Sequence, residues 1–419
     1  MIKVFSASWA LFLGIFMLMI GNGLQGTLLG LRGEQEGFTT FELSVVMSAY
    51  FLGFLFSSKA TPLLIQRVGH VRVFAALGST ISAVLILYPV LVEPWAWVLG
   101  RVMIGFCFCG VYVTAESWLN DASDNENRGK ALSIYMIVQM AGIVAAQYII
   151  SRGDVSGYIL FIVPSVLVSL AFAPILLSVR PVPAFSQTKP LSLPRLIEAS
   201  PLACVGMFLL GGIFAAQFGM SAVYGLKAGL TVNQISVFVS TIYIAALVAQ
   251  YPIGWISDRI DRRILVLITT TVGGIGAMLA FLIPGNFTII LIGAALVGGT
   301  SNPLYALLIA YANDYLEKDD MAAASGGLLF INGVGAIAGP LIVGWVMDTF
   351  GAEGFWLFSS ILLLAIAAYA AYRMTRRTRS NLEFETVPYS PVAATTTPLI
   401  AEIAQEVYID TEEVDSDAK

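Results

Sequence analysis

The chain has 419 residues, of which 58% are hydrophobic and only 12% charged, with a mean hydropathy of +0.83. Soluble domains average about 25% charged residues, so half that share leaves too little polar surface to keep a core of this size in water. Secreted disulfide scaffolds, nucleic-acid binders and cytosolic enzymes are excluded, and the chain reads as an all-α integral membrane protein whose solvent is the lipid bilayer.

The formal charge of −5 is misleading as a guide to partners. Nine of the 27 acids but one of the 22 bases lie beyond Ser380, which leaves the remainder at +3 (21 bases minus 18 acids). Cys107 and Cys109 sit two apart in an apolar run, where helical geometry points them in different directions; with Cys204 they read as small core residues, not a disulfide or metal site. No Gly-x-x-x-x-Gly-Lys-Ser/Thr loop is present, so neither ATP dependence nor a cofactor is expected.

A bilayer core about 30 Å thick requires ~20 mostly apolar residues per helix. The sequence supplies twelve such stretches, in order 8–29, 43–64, 73–91, 95–119, 131–150, 157–177, 202–224, 235–256, 265–283, 287–310, 324–346 and 355–371. The first is too long for a signal-peptide core and is expected to remain as an anchor. With a cytoplasmic N-terminus, 17 of the Lys and Arg residues outside the spans fall inside and only Arg32, Arg152 and Lys227 outside. That asymmetry over short loops predicts a multi-pass protein of the inner (plasma) membrane with both termini in the cytoplasm. The proline-bearing segment before span 7 reads as a linker. The expected organisation is a six-helix bundle over 1–180, a cytoplasmic linker over 181–201, a second six-helix bundle over 202–380, and a disordered acidic cytoplasmic tail over 381–419. A short amphipathic helix is expected within the tail at 400–409.

Sliding the chain against itself by 192 or 193 residues superposes several landmarks. Gln66-Arg67-Val68-Gly69-His70 falls on Asp258-Arg259-Ile260-Asp261-Arg262, Gly105 on Gly298, Tyr112 on Tyr305, Asn120-Asp121 on Asn313-Asp314, and Gly142 on Gly335. The offset carries cytoplasmic loops onto cytoplasmic loops, so the two bundles share one orientation and are related by an axis along the membrane normal. Two such bundles can rock about a central site, which is how alternating access is commonly built.

Gly254-Trp-Ile-Ser-Asp258-Arg259-Ile-Asp261-Arg262-Arg263 resembles the loop signature of the major facilitator superfamily, Gly-x-x-x-Asp-Arg-x-Gly-Arg-Arg. The first-half copy departs from it, with Pro62 and Gln66 replacing Gly and Asp while Arg67, Gly69 and Arg72 remain. Arg101-x-x-x-Gly105 is similar to the family's helix 4 motif, and Arg128-Gly129-Lys130 opens helix 5 as in many members. Glu116-Ser-Trp-Leu-Asn120 followed by Arg-Gly-Lys resembles a branch of bacterial transporters mostly without an assigned substrate. The resemblance covers residues 1 to about 380. It implies a cavity between helices 1, 4, 7 and 10 with parts of 2, 5, 8 and 11, and cytoplasmic charge clusters that latch the outward-open state. The second-half latch would be Asp258, Arg259 and Arg262 with Asp314; the first would pair Glu116 with Arg67 or Arg72 beside the Gly69 turn.

Arg101 lies about six residues into span 4, ~9 Å from its outer end at 1.5 Å per residue. An Arg at a helix centre costs roughly 3 kcal/mol on insertion scales, so it should face a polar cavity or partner unless it snorkels to the interface. Gly105, Phe108 and Tyr112 fall within about 40° of it on the helix, and Glu116 within about 60°. Glu116, three residues from the cytoplasmic end, is expected to be shallowly buried: a latch residue first, a proton carrier second. Candidate solute-contacting residues are Arg101, Tyr112, Tyr305, Asn22, Gln25, Asn302, Gln139 and Gln217, with interhelical hydrogen bonding as the ordinary alternative for each. Tyr50, Tyr243 and Asn332 are further mid-span polar residues. Pro340 in helix 11 is a candidate hinge, and His70 is assigned to a solvated loop.

No acid lies mid-span, and the glycine-proline motif that drug-proton antiporters of this family carry in helix 5 is absent. The reading is therefore a monomeric secondary transporter, not an enzyme, that moves a small organic solute by rocker-switch alternating access, with an anionic or amphipathic solute favoured. Protons or another ion would drive it. The alternatives are a proton-driven multidrug exporter using Glu116, and a non-transporting sensor or assembly protein using the acidic tail.

Overall fold

A backbone in hydrocarbon must satisfy its own hydrogen bonds, which a single segment does only as a helix. The computed structural model describes residues 2–121, 125–176, 193–316, 318–376 and 389, with side chains at 2–8, 120–121, 125–129, 175–176, 318–319 and 322–323 outside the description. Among these residues every element is helical: α1 (Ile2–Gln35), α2 (Thr40–Val68), α3 (His70–Leu87), α4 (Pro94–Asp121), α5 (Asn125–Arg152), α6 (Ile159–Leu176), α7 (Leu193–Ala199), α8 (Pro201–Ala215), a π-turn (Ala216–Met220), α9 (Ser221–Lys227), α10 (Val232–Ser257), α11 (Arg262–Leu282), α12 (Phe287–Asn313), α13 (Lys318–Phe350) and α14 (Gly354–Arg376). The run α8, π-turn, α9 is one passage over Pro201–Lys227, and eleven passages have the length and apolarity to cross a membrane. The twelfth, α6, has 18 residues, about 27 Å of helix, and carries Pro164 and Pro174. Large apolar side chains such as Phe56, Ile159, Val248 and Trp345 point outward, as a lipid-facing surface requires.

The helices outrun the apolar stretches because capping, not hydropathy, ends them. Thr39 and Glu42 form a capping box at the start of α2, and Thr231 and Gln234 form another at the start of α10. The two boxes are 192 residues apart, so the duplication predicted from the sequence reaches the helix ends.

It also reaches the crossings. Gly105 brings α4 so close to α2 that a Cβ there would lie 1.9 Å from the Tyr50 carbonyl oxygen; at Gly298 in α12 it would lie 2.3 Å from that of Ile242 in α10. Gly142 packs α5 on α1 near the Phe16 carbonyl, and Gly335 packs α13 on α8 near that of Phe208. Small residues permit the backbone contact that substitutes for a hydrophobic driving force between helices in lipid. α1 to α6 thus pack as one bundle and α8 to α14 as a second, with the same internal arrangement.

With twelve passages, α1 starts and α14 ends on one side, here the terminal face. The opposite face is closed between the bundles. Ser48 Oγ of α2 donates to the Ile337 carbonyl of α13 at 2.5 Å, Gly344 of α13 abuts Ser44, and Gly30 of α1 abuts Ala222 of α9. Pro340 lies inside α13, which continues through it, one turn from the Ile337 contact. The predicted linker lies outside the described residues as far as 192; beyond that, α7 buries Leu196 and Arg195 pairs with Asp320 at 2.8 Å. The predicted tail also lies outside the described residues, except Tyr389, which packs against the body of the protein.

Replacing Gly105 with Ala should cost about 1–3 kcal/mol, the usual range for overpacking a well-filled core. Gly326, with nothing within 4 Å of its added Cβ, is the control. Thermal unfolding in detergent should show a lowered midpoint for Gly105→Ala and an unchanged or raised one for Gly326→Ala.

Candidate functional site

Arg101 is completely enclosed by protein. Its Nη1 donates to Gln25 Oε1 at 2.6 Å, its Nη2 reaches Met47 Sδ at 3.5 Å, and the guanidinium lies 4.8 Å from the centre of the Tyr50 ring. Its Nε has no hydrogen-bond partner, and no carboxylate pairs with it among the described residues. A chain of bonds continues across the bundle. Gln25 Nε2 donates to Asn22 Oδ1 at 3.0 Å, Asn22 Nδ2 donates to the Tyr112 hydroxyl at 2.8 Å, and that hydroxyl donates to Met19 Sδ at 3.2 Å. Four of the eight predicted residues, Arg101, Gln25, Asn22 and Tyr112, therefore form one network linking α1 and α4.

The close approach of α2 at Gly105 fixes the network's boundary, because it lays Tyr50 over Arg101. Beyond Tyr50 lies a small cavity of about 70 Å³ between the bundles. Its walls are aromatic: Tyr50, Phe51 and Phe54 from α2, Phe214 from α8, Phe218 from the π-turn and Tyr243 from α10. Asn302 of α12 and Asn332 of α13 supply polar groups; Asn332 is spent on the Met207 carbonyl at 3.0 Å, whereas Asn302 Nδ2 is buried without a partner. Tyr50 and Tyr243 are 193 residues apart, so the cavity presents the same residue from each bundle.

Of the predicted solute contacts, only Asn302 lines this cavity. Arg101, Gln25, Asn22 and Tyr112 stand behind Tyr50. Gln217, the repeat partner of Gln25, is buried and donates to Ser301 Oγ at 3.1 Å; Tyr305 is buried with its ring beside Phe214, and Gln139 is buried one turn from Tyr135 on α5. The four phenylalanines were not singled out, since an aromatic ring in an apolar span carries no signal separating a cavity wall from a lipid face. The π-turn, which brings Phe218 onto the cavity wall, has no sequence signature, although such turns recur at functional sites.

The charge cluster predicted for the second half is present, centred on Arg262. Its side chain is buried, bonds to Asp314 and to the Ala310 carbonyl (3.1 Å), donates to Ser257 Oγ at 3.2 Å, and lies 3.6 Å from Asp258. It ties the α10–α11 loop to the C-terminal end of α12, where both the last carbonyls and Asp314 favour a cation. Arg259 is not part of it: it stacks on Trp255 at 4.0 Å and donates to that residue's carbonyl.

The first half departs from prediction. Arg67 and Arg72 are exposed and make no ion pair among the described residues, and Gly69 only forms the turn between α2 and α3 at φ +84°. His70 is not in a solvated loop but buried, its Nε2 3.1 Å from Ser117 Oγ. It occupies the place of Arg262 in the repeat, and Ser117 that of Ala310, so the His70–Ser117 contact joins the start of α3 to α4 as the Arg262 contact with the Ala310 carbonyl joins α11 to α12. Glu116 is wholly buried, not shallow, and accepts a bond from the Tyr135 hydroxyl of α5 at 2.8 Å. The helix carries it inward because its stripe, shared with Phe108 and Tyr112, is the inner face of α4. Arg128 and Asp121 have side chains outside the description.

Eleven membrane-length passages and the shorter apolar α6, arranged among the described residues as two alike bundles around a shared cavity with buried polar groups, define a multi-pass membrane transporter of the duplicated six-helix type. The sequence model of the Major Facilitator Superfamily matches residues 11–230 and 202–404, and the chain belongs to that family, whose members are transporters and not enzymes. It is 25% identical over 346 residues to an uncharacterised MFS-type transporter, YcaD, of Salmonella heidelberg (strain SL476), a match covering 80% of this chain and 88% of the relative. Two crystal structures share the fold. That of the nucleoside transporter NupG has a TM-score of 0.72 at 16% identity, covering 88% of this chain and 100% of the other. That of a bacterial homologue of the human lysosomal transporter Spinster, in an inward-facing, unoccupied conformation, has a TM-score of 0.71 at 13% identity, covering 97% and 98%.

The Arg262–Asp314 contact should register as a coupling. In a double-mutant cycle of Arg262→Ala and Asp314→Ala, followed by thermal unfolding, the paired effect should fall short of the sum by about 0.5–3 kcal/mol, the range for groups in direct contact. The Arg259→Ala and Asp314→Ala pair should be additive.

Proposed function

We propose that this protein is a secondary transporter of a small organic anion or an amphipathic solute with an anionic group, working by rocker-switch alternating access. The observation that carries this reading is Arg101: a wholly buried guanidinium with neutral neighbours, an Nε without a partner and no carboxylate paired with it among the described residues. A cation held in that state is costly, and an anionic group brought close to it would recover part of the cost. Rotation of the Tyr50 ring would uncover the guanidinium to the cavity, while the aromatic walls suit the apolar part of the solute and Asn302 a hydrogen-bond acceptor on it. The moving parts are the bundles, over 1–180 and 202–380, joined through 181–201. In this reading both termini lie in the cytoplasm, which the basic-residue asymmetry supports, and the membrane is the inner (plasma) membrane. The Arg262 cluster and Pro340 serve as gate elements.

A second reading, proton-driven multidrug export, is favoured by one observation: Glu116 is wholly buried in α4 and accepts a hydrogen bond from the Tyr135 hydroxyl, which puts a carboxylate inside the bundle, where ionisable groups mark proton paths. In either case Glu116 is the candidate coupling residue.

Thermal-shift screening of the purified protein against anionic, neutral and cationic metabolites and drugs separates the two. A ligand at 100 times its Kd stabilises by about 2.7 kcal/mol. Anionic compounds should raise the unfolding midpoint, and Gln25→Glu, which gives Arg101 an internal counterion, should abolish the response while leaving the protein folded. Arg101→Ala should remove it too; a full response in both variants refutes the role of Arg101. In proteoliposomes loaded with a hit from the screen, Glu116→Gln should uncouple flux from an imposed pH gradient.

A further inference from the structure

Tyr389 belongs to the segment after α14, yet it sits inside the terminal face. Its ring packs against α10 where Gly254 leaves room; a Cβ at that position would come within 2.6 Å of the ring. Its hydroxyl accepts from Gln250 Nε2 at 2.7 Å and lies 3.3 Å from the Pro303 carbonyl of α12, to which it donates. Its backbone N–H donates to Asp258 Oδ1 at 2.8 Å. Burial, reinforced by the Asp258 charge, pushes the phenol above its ordinary range, so the ring stays a neutral donor.

The cleft that holds Tyr389 has walls from different bundles: Ser133, Met136 and Ile137 of α5 on one side, and Leu247, Gln250 and Gly254 of α10 on the other. Small and polar positions on α10 accept the ring and its hydroxyl, and the carboxylate that takes the tail's N–H is also 3.6 Å from Arg262. A residue bonded in this way through both its main chain and its side chain, to three helix positions that the fold holds fixed, occupies a formed site.

We propose that the α5–α10 cleft is a docking site for the chain's own C-terminal tail, with Tyr389 as its anchor, and that the tail must leave before the two bundles can close together on the terminal face. The second clause rests on the alternating-access reading; the docking does not. The tail then acts as a wedge that favours the conformation closed on the opposite face, and Asp258 is released to Arg262 when the wedge departs.

The test uses the full-length protein in nanodiscs. Cys107, Cys109 and Cys204 are buried, so a thiol introduced by Leu247→Cys can be followed with a polar maleimide. Adding Tyr389→Ala should speed its labelling at least threefold, and Tyr389→Phe, which keeps the ring but loses the hydroxyl bonds, should fall between. Spin labels at Lys130→Cys and Tyr251→Cys, on the terminal-face ends of α5 and α10, should gain a shorter-distance population in the Tyr389→Ala background. Unchanged labelling overturns the docking; faster labelling with unaltered distances overturns the wedge. Neither readout requires a transported solute, so a wrong substrate class leaves both measurements decisive.

Discussion

Burying the Arg101 guanidinium constrains the whole first bundle. A cation enclosed by protein at membrane depth is tolerated only when the surroundings supply donors' partners and polarisable faces, and here they come from three helices: Gln25 from α1, the Tyr50 ring and Met47 sulfur from α2, and the backbone path of α4 itself. Those groups meet only because α2 and α4 touch backbone to backbone at Gly53 and Gly105. Move the helices apart by one methyl group and Tyr50 no longer lies over the charge. The network through Gln25, Asn22 and Tyr112 then propagates the orientation of Arg101 across the bundle, so that polar groups of modest individual worth act as one rigid unit.

The duplication explains the scaffold and makes its asymmetry informative. Capping boxes, crossing glycines and cavity tyrosines recur at an offset of 192 or 193, while the chemistry placed on them differs. Gln25 meets Arg101 in one half; its counterpart Gln217 meets Ser301 in the other. Arg262 bonds to Asp314 and the Ala310 carbonyl, and His70, at the same position of the repeat, contacts Ser117. The two bundles share one arrangement but differ in these groups: the first holds the buried Arg101 behind the cavity, the second the buried Arg262 with Asp314 at the terminal face.

The two faces are also unequal. On the opposite face α2 and α13 are in direct contact through Ser48, Ser44 and Gly344, and Lys227 pairs with Asp348. On the terminal face α5 and α10 are separated by a cleft that accommodates Tyr389. A cavity lined by six aromatic rings between these two ends is closed on one side by packing of small residues, which cannot be improved on, and on the other by groups that can exchange partners.

The twelve passages, the duplication and the family were legible in the sequence, since hydropathy over ~20 residues, basic-residue placement and a fixed offset are properties of the chain read linearly. So was the isolation of Arg101, because no acid stands near it in any span. Which polar residues face the cavity was not legible. Tyr112, Gln139, Gln217 and Tyr305 all lie mid-span, and whether each turns toward the cavity or toward a neighbouring helix depends on crossings set by glycines on other helices. The depth of Glu116, the burial of His70 and the detachment of Arg259 from the charge cluster were decided the same way, by which face of a helix the rest of the bundle covers. Tyr389 marks the limit most plainly: nothing in a composition rich in acids distinguishes it, and its place follows from a gap at Gly254 and a carboxylate at Asp258, more than 130 residues away in the chain and adjacent only in space.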